Sequence, residues 1–144
     1  MKLKKSLMAS MAALSILSFA SSANAATGFA DNYYSAQSLA SDQIYQGSLS
    51  APNDVDWFTW TNTTGQSVNF TVSVLSQNKN FDLQFVINPP YNPALHANDN
   101  GANSIDTIYG NNLPPGATVH WYVEGHSSSD YGPSGGYVTW LHVN

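Results

Sequence analysis

Cysteine is absent from this chain, and so is arginine. Without cysteine there are no disulfides, no thiolate metal sites and no thiol redox chemistry. Stability must come from a packed core, from backbone pairing or from a bound ion. Basic charge is almost as scarce. Lys2, Lys4 and Lys5 stand in the first 25 residues, which leaves Lys79 alone against nine acids, a net charge of −8 from residue 26 onward with His neutral. Such a surface repels nucleic acid, which demands Lys and Arg against phosphate, and anionic membranes with it. Cations, neutral glycans and other proteins remain as partners. The acids are scattered along the chain, so plain solubility is the alternative to any ligand role. Sustained helical periodicity is also missing after residue 25, and no apolar run there reaches membrane-spanning length.

The first 25 residues read as an address. A basic start at Lys2, Lys4 and Lys5, an apolar stretch from Met8 to Ala20 and the small-residue site Ala23-Asn24-Ala25 spell a cleaved signal peptide. The expectation is a secreted, extracellular chain of about 119 residues with no membrane insertion, one domain's worth. Residues 26–43 form a polar lead-in that docks partly through Phe29, Tyr33, Tyr34 and Leu39, and residues 44–144 form the domain proper.

Period two dominates that domain. Val68, Phe70, Val72 and Val74 alternate with Asn69, Thr71 and Ser73, the pattern of a half-buried strand. Further strands are expected over 44–49, 54–61, 81–87, 104–109, 119–124 and 137–143, spaced by Gly, Pro and Asn turns. The stretch 88–103, with three prolines and five asparagines, is a long loop. Six or seven short strands and no helix argue an all-β, antiparallel β-sandwich.

The stretch the chain is organised around is residues 53–60, NDVDWFTW. On a strand, Asp56, Phe58 and Trp60 share one face, and Val55, Trp57 and Thr59 the other. The rings seed a core. Asp54 and Asp56, expected to be solvated at the strand mouth, are placed where oxygen ligands collect around a hard cation such as calcium. The alternative is that they cap the strand by accepting from turn amides.

The order of the pieces resembles a known family. NDVDWFTWTNTTGQSVNFTVSV over 53–74, FDLQFVI over 81–87, GATVHWYVEGH and then GGYVTWLHV are similar to the bacterial pre-peptidase C-terminal domain, whose relatives include the collagen-binding modules of clostridial collagenases. The resemblance covers about residues 28–143. It implies a jelly-roll-like sandwich and a non-catalytic module, usually attached to a secreted peptidase. It also implies a calcium site where the lead-in meets the acidic strand. Carried over, Asp31 and Asn32 match the end of the lead-in motif, and Asp54 and Asp56 match the acids before the aromatics. The chain departs from the pattern where Phe29 and Ala30 stand in place of the opening acid, and this sequence carries no peptidase domain.

Other constellations are weaker. Asn98-Asp99-Asn100-Gly101 looks faintly like a second calcium loop but lacks the downstream Glu, and reads as a turn. His120 and His142 lie on strands that could pair into a two-histidine site, although zinc usually takes three or four ligands. Gly132-Pro133-Ser134-Gly135-Gly136 spells the G-x-S-x-G of a nucleophile elbow without its strand-to-helix setting. Asp54 and Asp56, two apart on one strand, lack the cleft of a glycosidase pair. No enzyme is expected. Ligand binding is assigned to the aromatics Trp57, Tyr122, Tyr131 and Trp140, with Tyr91 beside them, as flat rings for an extracellular protein or polysaccharide. Completion of the core is the alternative for each. The first alternative function is a self-associating cell-surface or matrix protein, and the second a small secreted hydrolase.

Overall fold

The structure, a computed structural model, describes residues 29–87 and 95–144. The expected signal peptide and Tyr91 lie outside them. Among the described residues, nine strands follow a 3-10 turn at Tyr33–Ser35: β1 (Gln37–Ser38), β2 (Tyr45–Gly47), β3 (Asp56–Thr61), β4 (Val68–Gln77), β5 (Phe81–Ile87), β6 (Leu95–His96), β7 (Ile105–Leu113), β8 (Thr118–Gly125) and β9 (Gly136–Val143). They form two sheets. One runs β1-β3-β8-β5-β6 and the other β2-β9-β4-β7. Every pairing is antiparallel except β1 with β3. Among the described residues no helix is long and apolar enough to cross a membrane.

Alternation decides which side chains meet between the sheets. From the first sheet come Phe58 and Trp60 of β3, Phe81, Leu83 and Phe85 of β5, and Val119, Trp121 and Val123 of β8. From the second come Phe70, Val72 and Val74 of β4 and Tyr137 and Leu141 of β9, all buried. Each fully buried Leu, Val or Phe contributes about 1.5–3 kcal/mol. Polar contacts between side chains also cross this core. The Trp121 indole Nε1 donates to Thr139 Oγ1 at 3.0 Å, and the Tyr137 hydroxyl donates to Asp56.

The lead-in is stitched to the first sheet. Leu39 is buried, and its amide donates to the Thr59 carbonyl at 3.0 Å. Phe29 stacks on Tyr45 with centroids 5.3 Å apart, whereas Tyr34 is exposed. Two of the nine strands were not expected. β1 and β6 have two residues each, too short to show a period. β7 also runs on to Leu113, four residues past the strand expected over 104–109. The two-histidine site that the strands of His120 and His142 could have formed does not occur, in line with the reading of each as an ordinary imidazole. β8 and β9 belong to different sheets, and both histidines point away from the core.

Candidate functional site

The lead-in delivers its acid through a tight bend. Ala30, buried, takes φ 51°, a left-handed conformation uncommon for a residue with a Cβ. Its carbonyl accepts from the Trp57 amide at 2.9 Å, which fixes the chain against the start of β3. Asp31 follows, and its carboxylate converges with those of Asp54 and Asp56, ligand oxygens lying within 4.8 Å of one another.

The three acids are held differently. Asp31 is exposed. Asp54, 6% exposed, accepts from the amide and the hydroxyl of Ser50 at 2.6 and 2.8 Å. Asp56, 4% exposed, accepts from Tyr137. The expectation that Asp54 and Asp56 are solvated is therefore corrected. Asp56 shares its strand face with Phe58 and Trp60, so parity carries it inward with them. Desolvation is the main cause that pushes its pKa up to about 7. The Tyr137 bond opposes this, and the charges of Asp54 and Asp31 add to it. The donor set is all oxygen, carries up to three negative charges and suits a hard cation. Lys79, the one lysine among the described residues, instead donates to the Ser129 carbonyl at 2.6 Å.

Asn32 stands outside this group. Its side-chain oxygen accepts from the amides of Tyr34 and Ser35, at 3.0 and 3.2 Å, as the cap of the 3-10 turn. Ser50 and Tyr137, which hold two of the carboxylates, carry no local sequence signal for that role. The alternation of β9 does mark Tyr137 as inward.

The four aromatics assigned to ligand binding do not converge. Trp57 and Tyr122 do meet. They are cross-strand partners on β3 and β8, ring centroids 4.5 Å apart, half-buried on the outer face of the five-stranded sheet. Tyr33 joins them, edge-on to Trp57 at 6.4 Å and to His120 at 4.8 Å. The outer face continues along β8 and β5 to Gln84, whose amide donates to Glu124 at 2.9 Å. Desolvation lowers the pKa of His120. Trp140 lies on the outer face of the other sheet, opposite Ser73. Tyr131 packs against the core from the loop before β9, and its hydroxyl accepts from the Gly125 amide at 3.0 Å. Ser134 sits in a loop that leads into β9, so the strand-to-helix setting of a nucleophile elbow is not there.

No protein-family model and no curated protein sequence matches the chain. Solved structures do. The pre-peptidase C-terminal domain of a collagenase from Bacillus anthracis aligns with a TM-score of 0.57 at 19% identity, over 74% of this chain and 93% of that one. The Yersinia pseudotuberculosis-derived mitogen is a looser likeness, with a TM-score of 0.46 at 14% identity over 71% of this chain and 85% of that one. In fold, this chain is a pre-peptidase C-terminal-like β-sandwich.

Proposed function

We propose that this chain is a secreted, non-catalytic module that binds an extracellular protein or polysaccharide through the outer face of its five-stranded sheet. The observation that carries the reading is the Trp57–Tyr122 pair with Tyr33 against it. Flat amphipathic rings on a rigid sheet offer contact area at little entropic cost. Calcium at Asp31, Asp54 and Asp56 would clamp the lead-in to β3 and hold Tyr33 in place. The test is retention of the purified chain on immobilised extracellular proteins and polysaccharides. Trp57→Ala and Tyr122→Ala are expected to weaken retention on the responding polymer at least tenfold, and Trp140→Ala to leave it unchanged. Equal loss in all three, or saturable binding in none, overturns the reading.

One observation favours self-association instead. β7 is an edge strand of nine residues with Tyr109 74% and Ile105 47% exposed. Assembly that grows with concentration without added polymer, and is lost in Tyr109→Lys, would support it.

A further inference from the structure

A second group of ligating side chains lies away from the lead-in. Asp82 comes from β5, Asp99 from the loop after β6 and His126 from the loop after β8. Nδ1 of His126 stands 3.2 Å from both oxygens of Asp82 and 3.2 Å from Oδ2 of Asp99. Two ligands held about 2.1 Å from a tetrahedral zinc ion are about 3.4 Å apart, close to both His–Asp separations, and ligand atoms of all three groups lie within 4.8 Å of one another.

Two of the three ligands are braced from behind. Asp99 Oδ1 accepts from the Gly101 amide at 2.8 Å and from Asn80 Nδ2 at 3.1 Å, while Oδ2 faces the imidazole. The His126 amide donates to the Asn80 carbonyl at 3.1 Å. Asn80 Oδ1 is buried with no partner among the described residues. The surrounding field is negative, because Asp106, Glu124 and Asp130 all interact with Asp82. Five of the nine acids are thus electrostatically coupled here.

We propose that Asp82, Asp99 and His126 bind one divalent transition metal of the zinc class. The Nδ1–metal bond forms as the imidazole proton leaves to solvent, and the two carboxylates complete a three-ligand set with a position open to water. Imidazole nitrogen selects against calcium, which takes oxygen ligands, and suits zinc, copper or nickel. This site therefore differs in kind from the all-oxygen group at Asp31, Asp54 and Asp56.

The test is titration of the purified, chelator-treated chain with zinc at pH 7.5, followed by calorimetry and thermal unfolding. The expected result is one zinc bound per chain and a raised midpoint that millimolar calcium does not reproduce. Affinity should fall at least tenfold in His126→Gln and in Asp99→Asn, and be unchanged in Asp31→Asn. Asp99 is exposed on a loop, so its variant keeps the test valid should His126→Gln fold poorly. No zinc binding, or binding that Asp99→Asn leaves intact, overturns the proposal and leaves His126 as an ion-pair partner only.

Discussion

Burial holds the Asp56 pKa near 7 in metal-free protein, against a value of about 3.9 in the unfolded chain. A carboxyl raised in this way contributes stability that is fully present below the unfolded value and is lost as pH rises through the folded one. In chelator, unfolding by urea should therefore show stability falling between about pH 4 and pH 7, by on the order of 4 kcal/mol from this group. Asp56→Asn should flatten that part of the profile, and an unchanged slope would refute the assignment. This burial could be read in the sequence, since alternation already placed Asp56 beside Phe58 and Trp60. The solvated expectation gave charge more weight than parity. The Asp82–Asp99–His126 group could not be read. Its members are far apart in sequence and meet only because three separate elements bring them together.

Elements with a period were legible, and elements defined by their partners were not. The residues of β4 and β5 announce themselves by alternation, whereas β1 and β6 exist only because β3 and β5 offer them hydrogen bonds. Between these extremes is β7. Its register shifts against β4 between Val68 and Phe70, and Gly110 lies opposite Phe70. A Cβ added at Gly110 would come within 2.0 Å of the Phe70 ring, which is itself buried in the core. Gly110→Ala is expected to cost about 1–3 kcal/mol by denaturant unfolding. Tyr109→Ala next to it, at an exposed position, should stay within about 0.5 kcal/mol. Equal effects would mean that Phe70 does not fill the space above the glycine.

For the molecule as a whole, the lead-in acid makes the cleanest probe of calcium. Asp56→Ala would disturb the core and the Tyr137 bond, whereas Asp31 is exposed on the lead-in, outside the core. Calcium at a hundred times its dissociation constant adds about 2.7 kcal/mol to the folded state. The unfolding midpoint should rise by several degrees in calcium over chelator, and Asp31→Asn should abolish that difference. No rise in the unaltered chain would leave Asp54 as a turn-capping group and Asp56 as the buried acceptor of the Tyr137 hydroxyl.

The edges of the two sheets are unequal. The five-stranded sheet ends in two-residue strands on both sides, and the four-stranded sheet ends in the three-residue β2 on one side and β7 on the other. Among the described residues, β7 is the longest edge strand and has the longest row of backbone groups to offer another chain. Two copies joined antiparallel along β7 would satisfy each other about a twofold axis, so a pairing of that kind closes on itself and ends at a pair rather than extending into a fibre.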